Sequence, residues 1–343
     1  MTSATNGGPA VTRLKAGKLP PDKLRKLVLS RLGRLRPEVL VHARLGEDSA
    51  VADLGGRLMV VSSDPITGAS GEMGRLGVHV ACNDVAAMGA EPLGIQVVLL
   101  MPDGTTDVEI ADTMGQVADA AEALGIEVMG GHTEITSKVT APIIVLTAMG
   151  LVERSRLVTS AGARPGDGLL VTKPVGLEGT AILAADRARE LEGPLGAELL
   201  ARARTFLAEV SAVRDGLVAA ELGVSAMHDA TEGGVVGAVW ELAQASGVGA
   251  ELWEAAVPVR PETRRICEYY RIDPLRLISS GAMLVASPNA NQVVAGLRER
   301  GLEAAVIGQV TPAGSGIWLV RSDGRRESVA EPPIDELWRV LVS

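Results

Sequence analysis

Aromatic residues are scarce in this 343-residue chain, which has one Phe, two Tyr and four Trp. That leaves little material for the stacking platforms that hold single-stranded nucleic acid. A net charge of −9 also opposes a phosphate-backbone partner, so no nucleic acid is expected. The two cysteines, Cys82 and Cys267, cannot build a disulfide framework or a four-cysteine zinc site. No uncharged apolar stretch reaches the roughly 18 residues of a membrane span, and the N-terminus (Met-Thr-Ser-Ala-Thr-Asn-Gly-Gly-Pro) holds no apolar signal core. A cytoplasmic protein without membrane contact is expected. Both common nucleotide signatures, G-x-x-x-x-G-K-[ST] and G-x-G-x-x-G, are missing as well.

Four short acidic clusters stand out instead: Gly46-Glu47-Asp48, Ser63-Asp64-Pro65, Asn83-Asp84 and Gly130-Gly131-His132-Thr133-Glu134. Each lies at the edge of an apolar run. Carboxylates gathered beside small residues at element ends are what a magnesium-nucleotide site needs when no P-loop supplies it.

The length predicts two domains. Residues 1–20, rich in Gly, Pro, Ser and Thr, read as flexible, followed by a basic amphipathic helix over Asp22–Gly33. Strands are predicted at Leu58–Ser63, Gly94–Met101, Glu127–Met129 and Ile143–Met149. Helices are predicted at Met73–Met88 and Asp107–Leu124, the latter ended by Gly125. Residues 154–167 read as a linker. A second unit follows, with a strand at Leu169–Thr172 and helices at Thr180–Glu192 and Ala197–Ala220. A loop is predicted at Met227–Gly234, then a helix through Ala245. The alternation indicates an α/β or α+β fold, divided into residues 1–40, 41–155, 165–330 and a tail, 331–343.

Taken singly, Asp48 and Asp64 read as caps or turn residues. Asp84 does not, because it sits inside an apolar helical run with Val80 and Ala87 on its face. A carboxylate there must be paired, protonated or ligating a cation. Gly130 and Gly131 would let backbone approach a phosphate closely, with His132, Thr133 and Glu134 beside them. In Met227-His228-Asp229-Ala230-Thr231-Glu232-Gly233-Gly234, Thr231 or Asp229 could cap the next helix, whose unsatisfied N–H groups make an anion site. Two glycines at a helix start cost stability, which points to something that must come close. Cys82 and Cys267 read as buried apolar residues.

With these residues in place, the chain resembles the aminoimidazole-ribotide-synthase (PurM-like) superfamily. Within it, the chain is most similar to the hydrogenase-maturation carbamoyl dehydratases, the HypE family. The similarity runs in order through Gly46–Val51, Ser63–Pro65, His79–Gly89, Gly130–Glu134, KPVGLEGTAIL from Lys173, MHDATEGGVVG from Met227 and IDPLRLISSG from Ile272. The resemblance implies an N-terminal α/β domain that forms an intersubunit β-barrel in a homodimer. It also implies a C-terminal α/β sandwich, with ATP and Mg²⁺ in the groove between the domains. By position, Asp48, Asp64 and Asp84 would hold the metal. Asn83, Gly130, Gly131, His132, Thr133, Glu134, Lys173, Gly233 and Gly234 would line the nucleotide. Asp84, His228, Asp229 and Glu232 would carry the chemistry: ATP phosphorylates an amide-type oxygen, and loss of phosphate leaves a nitrile. That family ends in a Pro-Arg-Ile-Cys-type tail whose cysteine receives the carbamoyl group. Here residues 335–343 read DELWRVLVS, with no cysteine after Cys267. A separate, small-molecule or protein-borne acceptor is therefore expected, together with a maturation-protein partner. The alternatives are a kinase of the thiamine-monophosphate type and a non-catalytic nucleotide-binding partner.

Overall fold

A computed structural model describes residues 18–67 and 71–341. Most of the stretch expected to be flexible, residues 1–17, lies outside the described residues. The first unit contains α1 (Pro21–Leu27), β1 (Val39–Val41), β2 (Ala50–Asp53), β3 (Leu58–Ile66), α2 (Met73–Ala87), β4 (Glu91–Met101), α3 (Asp107–Leu124), β5 (Glu127–Ile135) and β6 (Ile143–Val152). Its six strands form one sheet in the order β1-β2-β3-β6-β4-β5. Only β4 and β5 pair in parallel, because α3 supplies the crossover that parallel neighbours require.

Strict alternation along β6 turns Ile144, Leu146, Ala148 and Val152 into the core. The core is closed by α2 and α3, through residues such as Leu76, Val85, Val117 and Ala120. The opposite face of the sheet, with Met59, Val61, Val98, Leu100, Val145 and Met149, stays half-exposed.

The second unit contains β7 (Gly168–Thr172), α4 (Leu177–Asp186), α5 (Ala188–Leu195), α6 (Ala197–Arg204), α7 (Val213–Glu221), β8 (Ala226–Ala230), α8 (Gly234–Ser246) and β9 (Gly249–Trp253). It continues with α9 (Pro261–Tyr270), β10 (Ala282–Ser287), α10 (Ala290–Glu299), β11 (Ala304–Thr311), β12 (Ile317–Val320), β13 (Arg326–Ser328) and α11 (Glu336–Leu341). Seven strands run β13-β12-β9-β11-β7-β10-β8. One face packs on α8 through Val235, Val239 and Leu242, and the other on α10 through Val293, Val294 and Leu297. Both sheets therefore belong to a two-unit, mixed α/β architecture. Among the described residues no helix is long and apolar enough to cross a membrane.

Several local expectations are corrected. The helix expected over Asp22–Gly33 stops at Leu27 and continues as a single 3-10 turn, Leu29–Arg31. The Gly130–Glu134 segment is strand rather than a loop after one. Met227–Ala230 is likewise strand, hydrogen-bonded to β10. The long helix expected over Ala197–Ala220 ends at Arg204, tightens to a 3-10 turn over Thr205–Glu209, and resumes as α7 only after the irregular stretch Val210–Ala212. There the Asn83 side chain from α2 donates to the Val210 carbonyl at 2.9 Å and accepts from the Ala212 N–H at 2.6 Å. The break exposes the backbone groups that tie the two units together.

Candidate functional site

Three of the four acidic clusters send a carboxylate into a cleft of about 710 Å³ between the two units. Asp48 comes from the β1–β2 connection, Asp64 from β3 and Asp84 from α2; β8 contributes His228 and Asp229, and α8 contributes Glu241. The local sequence explains how each is aimed. Helix α2 is buried on 14 of its 15 residues, so Asn83 and Asp84 must find their partners inside the protein. Ser62, one register step inside β3, turns inward and donates to Asp84 Oδ2 at 2.5 Å and to Asp64 Oδ2 at 3.3 Å. Asp84 lies within hydrogen-bonding reach of both Asp64 and Asp229.

His228 occupies the centre of this arrangement. Its Nδ1 lies 3.0 Å from Asp48 Oδ1 and 2.8 Å from the Asp229 carbonyl, and its Nε2 lies 3.4 Å from Glu241 Oε2. Burial pulls its pKa down, but Asp48, Glu241 and Asp229 outweigh that and lift it to about 10. With no metal bound the ring carries charge at neutral pH and serves as a counter-charge to these carboxylates. Lys18 adds a second cation, with Nζ 3.3 Å from Glu241 Oε1. Burial raises the Glu241 carboxyl, yet Lys18 and His228 hold it down at about 2.

These two cations do not satisfy the aspartates. Burial, reinforced by neighbouring negative charge, pushes Asp48 and Asp84 well above the usual carboxylate range. Burial brings Asp229 to about 6 against the pull of His228. Asp48 Oδ2 and Asp229 Oδ2 are buried without a hydrogen-bond partner among the described residues. Ligand atoms of Asp48, His228 and Asp229 fall within 4.8 Å of one another. Orphaned carboxylate oxygens converging on one point, with protons held where charge is unaffordable, fit a hard divalent cation such as Mg²⁺.

The other sequence candidates are placed differently. Glu232 reaches the cleft, where its Oε1 accepts from Trp338 Nε1 at 2.9 Å and from the Lys18 backbone N–H at 3.4 Å. Asn83 points away from the cleft into the junction of the units. Lys173, at φ 59°, holds the same junction from the far side, donating to the Glu209 and Ser211 carbonyls and pairing with Asp215 at 3.2 Å. Gly130 to Glu134 lie on β5, the edge strand, with His132 and Glu134 exposed and 3.5 Å apart. A Cβ on Gly131 would collide with the Val97 carbonyl, so pairing with β4 already accounts for that glycine. At Gly234 (φ 62°) a Cβ would lie 2.5 Å from the Leu275 carbonyl oxygen, so backbone packing accounts for this one too. Neither Thr231 nor Asp229 caps α8; its N-cap residue is Gly233, whose N–H donates to Asp335 of the tail at 2.6 Å.

Sequence reasoning passed over Ser62, Glu178, Glu241, Lys18 and Trp338. The argument used for Asp84 finds two of them: Glu241 follows the run Val235–Trp240, and Glu178 lies inside Val175–Leu183, each a lone acid in apolar surroundings. Both cysteines are buried, and burial pushes each thiol up to about 12, so neither is a nucleophile.

The chain matches the AIR synthase related protein N-terminal domain over residues 46–152 and the corresponding C-terminal domain over residues 164–320. It is 31% identical over 283 residues to the carbamoyl dehydratase HypE of Cupriavidus necator, covering 79% of this chain and 78% of that protein. It is 25% identical over 337 residues to a putative hydrogenase expression/formation protein of Methanocaldococcus jannaschii, covering 95% and 98%. Among solved structures, E. coli HypE superposes with a TM-score of 0.72 at 26% identity, over 93% of this chain and 99% of that one. A HypE–HypF complex gives 0.75 at 22% identity over 90% and 99%, and HypE in complex with ATP gives 0.66 at 24% over 92% and 94%. Two sheets joined across an acidic cleft, and relatives of this kind along most of the chain, place the protein in the AIR synthase related family, among the HypE-type hydrogenase maturation proteins.

Proposed function

We propose that the protein is an ATP- and Mg²⁺-dependent enzyme of hydrogenase maturation that activates a carbamoyl or amide oxygen by phosphorylation. The observation that carries this reading is the convergence of Asp48, Asp64, Asp84 and Asp229, from both units, with two buried oxygens lacking partners. In this reading Asp48, Asp64, Asp84 and Asp229 hold magnesium, which would neutralise phosphate charge when bound. Without a cation, burial and mutual repulsion disfavour joint ionisation of Asp48, Asp84 and Asp229. His228 and Lys18 set the local charge balance, and Glu232, held by Trp338, forms the lip. The two units meet near residues 155–165, and phosphoryl transfer needs mainly positioning and charge neutralisation, which a fixed interdomain cleft supplies. The half-exposed apolar face of the first sheet and the unpaired edge of β5 support a homodimer closed through that sheet. In such a dimer Gly130–Glu134 would sit at the contact. A maturation protein that hands over the carbamoyl group is the partner this reading asks for.

Isothermal titration tests it. Wild-type protein should bind ATP with Mg²⁺, and Asp84→Asn should lose well over about tenfold in affinity; absence of binding by the wild type sinks the reading. Phosphate release from ATP should be stimulated by a carbamoyl-bearing acceptor. Stimulation by thiamine monophosphate instead would favour the kinase alternative, and binding without turnover on any acceptor would favour a non-catalytic partner.

A further inference from the structure

Glu178 lines the same cleft but belongs to none of the groups assigned above. It is 3% exposed, and its Oε2 is buried without a hydrogen-bond partner among the described residues. The carboxyl's hydrogen-bonding neighbour is Ser280, through hydroxyl and backbone.

Its position is tightly set. Gly176, in the left-handed region at φ 75°, starts α4, and its N–H donates to Ser279 Oγ at 2.8 Å. The Gly179 N–H donates to the Ile278 carbonyl at 3.2 Å. A side chain at Gly179 would strike Leu277. The first turn of α4 is thus seated on the segment Leu277–Ser280, with Glu178 between two fixed contacts. That segment also carries the α8 start, through the Leu275 and Leu277 carbonyls beside Gly234. This buried acid lines the cleft, forms no ion pair among the described residues, and stands outside the set of carboxylates assigned to the metal.

We propose that Glu178 is a general base of the reaction, taking a proton from the nitrogen of a primary amide or carbamoyl substrate. The proposal rests on the ATP-dependent reading above. The amide oxygen attacks the γ-phosphorus, the bond to the ADP oxygen breaks, and the nitrogen gives one proton to the Glu178 carboxylate. The product is an imidate phosphate, R–C(OPO₃²⁻)=NH. Cleavage of its C–O bond, with the remaining N–H proton passing to the departing phosphate, leaves R–C≡N and HPO₄²⁻. Glu178 then returns its proton to solvent. Burial, with the charges of Asp335 and Asp229 adding to it, raises this carboxyl to about 7 against the hydrogen bonds from Ser280, which suits a base working near neutral pH.

The test uses the full chain with ATP, Mg²⁺ and S-carbamoylcysteine as the probe. Phosphate release and the nitrile infrared band are followed against pH, and ATP binding is measured separately. The wild type should show probe-stimulated release that rises between about pH 6 and 8. Glu178→Gln should lower kcat about 100-fold or more and lose that rise while keeping ATP affinity. Glu178→Asp should recover part of the rate. Wild type that binds ATP but is not stimulated by the probe overturns the proposal and leaves nucleotide binding standing. So does a Glu178→Gln variant with wild-type rate and pH profile. If Glu178→Gln fails to fold, the wild-type profile decides, and a flat profile over that range overturns the proposal. Wild type that fails to bind ATP defeats the underlying reading instead.

Discussion

Helices α2 and α3 pack against each other over the first sheet, yet they are built on opposite terms. The 18-residue α3 buries only Thr113, Val117, Ala120 and Ala121. It is specified locally: a capping box joins Thr106 and Glu109, and Gly125 at φ 68° ends it. α2 has no side-chain cap, and it holds Gly74 and Gly77 at internal positions. Those glycines lower helix propensity, but Gly74 lets the Thr113 backbone and Val117 of α3 come close, and Gly77 admits Leu146. α2 exists because its surroundings hold it, and it carries Asn83 and Asp84 into places a self-sufficient helix would not reach. A helix that breaks local rules marks where the tertiary structure places the chemistry.

The most severe way to break the contrast is Asn83→Ala. It leaves the Val210 carbonyl and the Ala212 N–H buried without partners, and each such loss costs about 1–3 kcal/mol. Urea unfolding should show a destabilisation of about 2–5 kcal/mol. A cost below about 1 kcal/mol would mean that α2 holds its place without the second unit.

A smaller effect separates the charges on α2 from its packing. Asp84 and Asp48 lie well above the usual carboxylate value and Asp229 at about 6, with burial the main cause. Folded-state pKa values above the unfolded ones mean that these groups stabilise the metal-free fold at low pH. That contribution is lost as pH rises from the ordinary carboxylate value through about 6. Mg²⁺ competes with the same protons, so its affinity should rise with pH by up to about tenfold per pH unit for each proton displaced. The Tm gain from Mg²⁺ should accordingly be larger at about pH 8 than at about pH 5. An equal gain at both would show that these carboxylates do not take up the metal.

The same contrast explains what the sequence could disclose. α3 was legible to its last residue, because caps, periodicity and the C-terminal glycine are local signals. Asp84 was legible because a charge in an apolar run has few explanations. The glycine pairs were legible only as close approaches, since Gly131 and Gly234 lie against backbone neighbours, Val97 and Leu275, that are distant in sequence. Glycine reports a close approach without saying what approaches. Lys173 and Asn83 belong to the same class: their residue types suit a phosphate site, and only the fold directs them to the 209–215 segment instead. The His228 charge balance needs three carboxylates from three elements, and no local pattern encodes it.

The smallest predicted effect tests the other side of the contrast. Thr106→Ala removes the hydroxyl that accepts from the Glu109 N–H at 3.3 Å and leaves Glu109 with only the Thr106 backbone N–H, at 2.7 Å. Such a cap is worth about 1 kcal/mol. Thermal or urea unfolding should register that loss. ATP affinity should not change, because α3 lends no side chain to the cleft. If α3 is as self-contained as its caps imply, the loss stays in stability alone. A fall in ATP affinity beyond about threefold would instead show that the α3 start is coupled, through Thr113 and Gly74, to the position of Asp84 on α2. The two helices would then differ in how they are encoded but not in what they hold in place.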